Sequence, residues 1–511
     1  MTKFKSFIII FFIMTAALSS ITPIINYKTD RYRVFNSLKG EYEFYVRKDG
    51  KWEYIHNDRF IPMSYLLNQK HNYDSFIFGN SRLNNLDVSN LGNTWYKVNY
   101  NSGELSEHLH NVSLLLSSDN SNVKNIVLAL DIRGFNAGVT NNSMHMDKKY
   151  LYPISHTEWF NFFYQHLFKK IDEKDIDLLL KTNYKLKNIK QHYIRTESSR
   201  RSALKGGEEH ENKIKKLKSR EQDFNKKNID YNVNSIKKIK LLIEKSGATF
   251  KVILLPSHYK KFFSYNPEDI NYLKKELVKI TPFFDFTTPH NYIINNDFWR
   301  DLYHYTKVPG EEIIRKIQSK ETICKNFGQF VIRDNIDSHL INLFETSLIA
   351  KTILEKRDQS IKFHNKYSDQ KMTKSNKILN DNVLTNCKNI YHKLVLRDLT
   401  KIKDALSKYQ QDNGSYPLSI GWDGLFRKSN SSGENWIVNL SPKYIKQLPR
   451  DPRKSNKKVK QYIYKSNGRD YKLISHDTQN CNYIKDKKPK LVDPKRNCWA
   501  YGFWTNGAEN W

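Results

Sequence analysis

Acidic residues are in short supply. Asp and Glu number 53 against 85 Lys and Arg, which leaves a formal net charge of +32. Such a balance points to a polyanionic surface nearby, whether nucleic acid, anionic lipid or acidic glycan. Zinc and dithiol spacings are missing as well. Cys324, Cys387, Cys481 and Cys498 form no CxxC or zinc-ligand pattern, which excludes the usual cysteine-metal and thioredoxin-like classes. Long apolar runs are absent after the N-terminus, so a multi-pass membrane protein is excluded. What remains is ample for folding. Hydrophobic residues make up 39% and aromatics 13% of 511 residues, enough for real cores in about two to four domains.

The one long apolar run opens the chain as "MTKFKSFIIIFFIMTAALSSITPIIN". Lys3 and Lys5 precede mostly apolar residues from 7 to 25. About 19 residues, at about 1.5 Å each, can cross the hydrocarbon core of a bilayer. The small residues at 16–20 fit a cleaved signal peptide instead. The apolar continuation to Ile25 favours an uncleaved transmembrane anchor at 1–26. Either reading exports the bulk of the chain, so no nucleic acid is expected as a partner.

Residues 27–70 read as a linker leading into a domain. From 71 to 320 the pattern alternates between apolar strands, at 75–78, 126–130 and 250–255, and helical stretches such as 103–116. That alternation predicts an α/β fold with a mostly parallel sheet. Residues 195–230 are highly charged and read as a solvated insertion. Residues 321–387 are polar and read as a connector. A second module runs from 388 to 511. There Val395, Leu399, Ile402, Leu406 and Tyr409 step by 4, 3, 4 and 3, a single apolar helical stripe. Asn413-Gly414 stops that helix, and Asn467-Gly468 offers a hairpin turn beyond it. The module therefore reads as a small α+β domain, a helix laid on an antiparallel sheet. In an exported chain Cys481 and Cys498, 17 positions apart, are expected to close a disulfide loop, contributing on the order of 3 kcal/mol. Cys324 and Cys387 either pair or stay free.

Chemistry is suggested at three places. The strand at 75–78 runs into Gly79-Asn80-Ser81-Arg82. A turn accounts for Gly, Asn and Ser there, and so does a nucleophile on a tight strand-to-helix turn. Asp301 and His304 stand three apart, a spacing that lets a carboxylate orient an imidazole. Asn101-Ser102-Gly103 precedes a helical stretch, so the N–H of Gly103 can serve an oxyanion. In this order the blocks resemble the SGNH hydrolase superfamily, over residues 71–320. The GxSR form of the first block resembles its membrane-anchored branch, which includes the teichoic-acid D-alanylation and alginate O-acetylation proteins. The resemblance implies an SGNH-type three-layer domain with Ser81 as nucleophile, His304 as base and Asp301 as its orienter. The backbone N–H groups of Ser81 and Gly103 would form the oxyanion hole. The family's third block, GxND, is missing. The strand is followed by Asp131-Ile132-Arg133-Gly134-Phe135-Asn136, where Asn136 is the replacement candidate at a different offset.

The stretches "RDLTKIKDALSKYQQDNGSYP", "LSPKYIKQLPRDPR" and "YIYKSNGRDYKLISH" resemble the globular part of type II secretion major pseudopilins and type IV pilins. The processed pilin N-terminus does not precede them, so a binding or spacer role is expected rather than polymerisation. The family can hold calcium in its last loop; Asp486 and Asp493 are read instead as solvated acids, and no metal or cofactor is expected. Trp499, Trp504 and Trp511 could stack on sugars, but are expected instead to plug the small domain's core. The two resemblances together imply a bacterial, single-pass, periplasmic enzyme, an esterase or O-acyltransferase. Its partners would be a cell-envelope glycan, an acyl donor and a multi-pass membrane acyltransferase. The alternative is a non-catalytic surface protein that uses the first fold as a scaffold and the pilin-like head for binding.

Overall fold

The computed structural model describes residues 14, 19–30, 34–35, 42–48, 51–54, 59–100, 104–119, 122–138, 151–171, 175, 184–188, 216–217, 219–324, 326–366, 389–424, 435–452, 461–478 and 481–511. Contacts divide the chain into two compact units. The first holds the described residues of Met1–Arg195, Ser219–Thr287 and Gly328–Asn342. The second holds those of Thr196–Lys218, Thr288–Phe327 and Leu343–Trp511.

Six strands form the main sheet of the first unit: β1 (Ser75–Asn80), β2 (Trp95–Tyr100), β3 (Asn125–Leu130), β4 (Thr249–Leu254), β5 (Phe283–Asp285) and β6 (Gln329–Val331). Their order is β2-β1-β3-β4-β5-β6. All neighbours are parallel except β5 and β6. The central strands read as unbroken apolar runs because both faces are covered: Phe76, Ile77, Phe78, Ile126 and Leu128 are fully buried. The strands expected at 75–78, 126–130 and 250–255 are β1, β3 and β4. Strand β6 falls in the stretch read from sequence as a connector.

The helices of this unit are α1 (Phe60–Asn68), α2 (Leu105–Ser117), α3 (His156–Leu167), α4 (Lys226–Ser246) and α5 (Pro267–Ile280). Helix α4 packs against both α2 and α5. It buries Ile229, Val233, Ile236, Ile239 and Ile243, one stripe at helical spacing. Asn225 caps its start, and Gly247, at φ 79°, ends it in the left-handed region. A separate antiparallel sheet joins Tyr42–Lys48 to Lys51–Tyr54 and Tyr184–Asn188. No helix among the described residues is long and apolar enough to cross a membrane. Most of the apolar run at 7–25 lies outside the described residues. So does most of the charged stretch at 195–230.

The second unit contains α6 (Lys307–Ile317), α8 (Ile390–Asn413) and most of the long helix α7 (Ile336–Lys366). Its sheet comprises β7 (Asp423–Gly424), β8 (Tyr462–Ser466), β9 (Tyr471–His476), β10 (Val492–Asp493) and β11 (Asn497–Trp504). The order is β7-β8-β9-β11-β10, antiparallel throughout. Val395, Leu399, Ile402 and Leu406 on α8 are buried in one core with Tyr464, Leu473 and Tyr501 from the sheet, and Tyr409 packs at its edge. The sequence stripe thus marks the helix face that meets the sheet. Cys481 and Cys498 are bonded, with Cα atoms 5.1 Å apart. Cys324 is also disulfide-bonded, and Cys387 lies outside the described residues.

Candidate functional site

The strand order of the first sheet reverses between β1 and β3. Open α/β sheets place their ligands outside the carboxyl ends of the strands at such a switch point. Ser81 stands there, as the first residue of a short 3-10 turn, Ser81–Asn85, that follows β1 directly. The asparagine before it caps the turn, its side-chain oxygen accepting the N–H of Arg82 at 3.1 Å. Gly79 is required by close approach. A Cβ there would lie 2.6 Å from the main-chain oxygen of Ala129 on β3 and 2.9 Å from the side chain of Leu83. The sequence Gly-Asn-Ser therefore has a local reason at each position: room, a cap, and the side chain that the turn presents.

Behind Ser81 the strand ends are tied by charge. The Asn80 amide donates to Asp131, at the end of β3, over 2.5 Å. Arg82 is buried; its Nε lies 3.6 Å from the same carboxylate, and it donates to the oxygen of Pro256 at 3.3 Å and to Ser257 Oγ at 3.1 Å. One guanidinium thus links the carboxyl ends of β1, β3 and β4. Burial works to raise Asp131, but the charge of Arg82, the N–H of Gly134 and the Asn80 amide outweigh it and hold the carboxyl below its ordinary range. Lys261 is pushed down to about 8, first by burial and then by the charges of Arg133 and Arg82. It donates to Gln222 Oε1 at 2.7 Å and lies over the ring of Tyr265.

Asp301 and His304 belong to the second unit, in the loop before α6. His304 Nδ1 is 2.9 Å and 3.0 Å from the two carboxylate oxygens. Oxygen Oδ1 also accepts the N–H groups of Tyr303 and His304, each at 2.8 Å. Burial works against the charge on Asp301, yet the bonds to His304 and these two N–H groups bring it to about 2. A charged carboxylate against Nδ1 fixes the proton on that nitrogen and makes Nε2 the basic one. The two side chains are partly exposed, at 28% for His304 and 34% for Asp301. The DxxH spacing therefore delivers the carboxylate–imidazole pair it implied. Ser81 lies in the first unit and this pair in the second.

Gly103, with Asn101 and Ser102, lies outside the described residues. The Asn136 side chain is engaged locally: it accepts from the N–H of Asn225 at 2.9 Å and donates to the oxygen of Asp223 at 3.4 Å, at the start of α4. Asp493, grouped in sequence with solvated loop acids, is instead fully buried between Lys472 at 3.0 Å and Arg496 at 2.9 Å. Trp504 packs on a small outer cluster of Ile463, Ile474 and Ala500, whereas Trp499 is 44% exposed. The sequence gives no sign of the partners that Arg82 and Tyr391 find. Their significance rests on partners 49 or more positions away, which no local pattern records.

The fold class is thus a mixed α/β protein whose first sheet is mostly parallel and whose second is a small antiparallel sheet under a long helix. Residues 382–491 match the family model of type II secretion system protein G. That match covers α8 and the first three strands of the antiparallel sheet. No curated protein and no solved structure matches the chain.

Proposed function

We propose that the chain is an SGNH-type serine esterase or O-acyltransferase acting on acyl esters of a cell-envelope glycan. The observation that carries this reading is the Asp301–His304 pair, a carboxylate holding an imidazole with Nε2 as its basic nitrogen. Ser81, at the switch point of a parallel sheet, supports it. In the proposed reaction Ser81 Oγ attacks the ester carbonyl while His304 Nε2 takes its proton. The leaving alcohol takes that proton back, and an acyl-Ser81 ester remains. Water or a sugar hydroxyl then attacks the acyl group, with His304 as base again. The N–H groups of Ser81 and Gly103 are the proposed oxyanion donors, with Asn136 the weaker candidate because its amide is already used.

The resemblance of the tail to a secretion-system protein supports an envelope-associated chain. With the apolar run at 7–25, we read it as a single-pass protein with its bulk in the periplasm, beside a multi-pass acyltransferase that supplies acyl groups. A non-catalytic scaffold is the second reading. The missing GxND block and the local engagement of Asn136 favour it.

The test is labelling by a serine-reactive fluorophosphonate. Labelling of the full chain is expected at Ser81, lost in Ser81→Ala and slowed about 100-fold or more in His304→Ala. Failure of the folded chain to react with the fluorophosphonate, or labelling that survives Ser81→Ala, overturns the enzyme reading.

A further inference from the structure

Helix α3 is apolar on two sides. Its inner side carries Phe162, 4% exposed, stacked on Phe60 at 4.9 Å. Trp159 stacks on Phe163 at 5.1 Å, and Phe163 on Phe35 at 5.8 Å. A surface helix with one buried stripe ordinarily turns polar residues to the other side. Here the other side carries Phe160, Tyr164 and, just past the end, Phe168, exposed by 70%, 53% and 49%. They stand four residues apart, Phe160 stacked on Tyr164 with ring centroids 6.2 Å apart and Tyr164 tilted against Phe168 at 4.7 Å. Ile154, 58% exposed, precedes the helix. Two apolar sides call for two apolar surroundings, and among the described residues the first unit supplies only one.

The sequence and one asparagine identify the second. Asn26 directly follows the apolar run at 7–25. It is 2% exposed, and its amide donates to the main-chain oxygens of Leu167 at 2.7 Å and Lys169 at 2.9 Å. The first carbonyl ends α3, where a helix leaves its last carbonyls unsatisfied, and the second lies just past the helix. The same helical stretch exposes Ile21, Ile24 and Tyr27 by 48%, 51% and 53%. The point at which the run leaves the folded unit is therefore bonded to α3. A bilayer that takes up the run must hold the end of α3 at its surface.

We propose that α3 lies along the membrane surface with Phe160, Tyr164 and Phe168 in the boundary between headgroups and acyl chains. This rests on the reading of 7–25 as a membrane anchor. Twelve residues rise only about 18 Å, too short to span a hydrocarbon core of about 30 Å, so the helix lies flat rather than crossing. Exposed aromatics at interface depth, with Lys170 exposed at the helix end to meet anionic headgroups, are what such a position selects. Contact at both the anchor and α3 fixes how the first unit faces the bilayer, which a single flexible tether would not.

The experiment reconstitutes the full chain into vesicles of phosphatidylcholine and phosphatidylglycerol bearing a photoactivatable diazirine on one acyl chain, then maps labelled peptides by mass spectrometry. Label is expected on residues 1–25 and on 154–170. In F160S/Y164S/F168S, whose changes face outward, the label on 154–170 is expected to be lost while that on 1–25 stays. Label confined to 1–25 overturns the proposal and leaves the anchor standing. Label on neither segment overturns both. Cross-links from 154–170 to a second copy of the chain, in place of lipid, show that a protein partner covers the helix and overturn the membrane contact.

Discussion

At the scale of single residues, the turn after β1 is set by steric room before it is set by chemistry. A methyl group at Gly79 would sit 2.6 Å from the carbonyl oxygen of Ala129, which the sheet holds in place. Gly79→Ala must push β1 away from β3 or move Leu83, and overpacking of this kind costs about 1–3 kcal/mol. The expected outcome is a lower urea midpoint with an unchanged m-value, together with slower labelling of Ser81, whose position hangs on the same backbone. A midpoint equal to that of the parent chain would show that the strand pair has slack there. The Gly-Asn-Ser-Arg motif was visible in the sequence. The tie from Arg82 to Asp131 and Ser257 was not, because it joins positions up to 175 apart.

At the scale of elements, the pilin-like helix reaches further than its own sheet. Arg397 on α8 donates to Glu312 at 2.5 Å and to Glu311 at 3.0 Å, both on α6. Glu312 is fully buried and also accepts the N–H of Ile323 at 2.6 Å. At the start of α8, Tyr391 donates to Asp297 at 2.5 Å and stacks on Phe298. These contacts grip both ends of the loop that carries Asp301 and His304. Removing one partner of a buried pair leaves the other charged and unpaired, at a cost of about 3–5 kcal/mol. Arg397→Met is expected to lose that much in urea unfolding of the second unit, and adding Glu312→Leu is expected to recover most of it. A double variant as unstable as the single one would place the loss in the packing of the Arg397 stem instead. The amphipathic stripe of α8 was legible because it repeats along one segment; its grip on α6 is a matter of which segments meet.

At the scale of the whole molecule, buried titrating groups make the two units respond differently to acid. In the first unit His108 is lowered to about 3, by burial and then by the charge of Arg59. Between pH 6.5 and 3 the unfolded chain binds a proton that the folded unit resists, so stability falls as pH falls, by about 1.4 kcal/mol per pH unit. In the second unit burial lowers His290 to about 3 in the same way. There, however, burial raises Asp398 to about 6 against the pull of Arg397. Between pH 6 and 4 the folded unit keeps a proton on Asp398 that the unfolded chain releases, so this group gains stability as pH falls. The two effects oppose one another over that window. Hydrogen exchange, corrected for intrinsic rates, is expected to lose protection in β1 and β3 between pH 6.5 and 4.5 while β8 and β9 hold theirs. His108→Gln should flatten the response of the first unit. Equal loss in both units would mean that Asp398 does not offset His290 in the second unit.

The sequence by itself determined whatever repeats or breaks over short range. It determined the apolar strands β1, β3 and β4, the helix stripe on α8, the turn at Gly79-Asn80-Ser81-Arg82, the DxxH spacing that becomes the Asp301–His304 pair, and the Cys481–Cys498 disulfide. Local pattern suffices for these because backbone geometry turns spacing directly into a face, a turn or a short loop. Only the tertiary structure decided the rest. Strands β5 and β6 are three residues each, too short to show a period, and exist because a neighbouring edge accepts their hydrogen bonds. Asp493 looked like a loop acid, but two cations from separate positions bury it. The exposed aromatic ladder of α3 gives no sign in sequence of which face is inner and which is outer. That distinction arises only when Phe60 and Phe35 cover one side and leave Phe160, Tyr164 and Phe168 on the other.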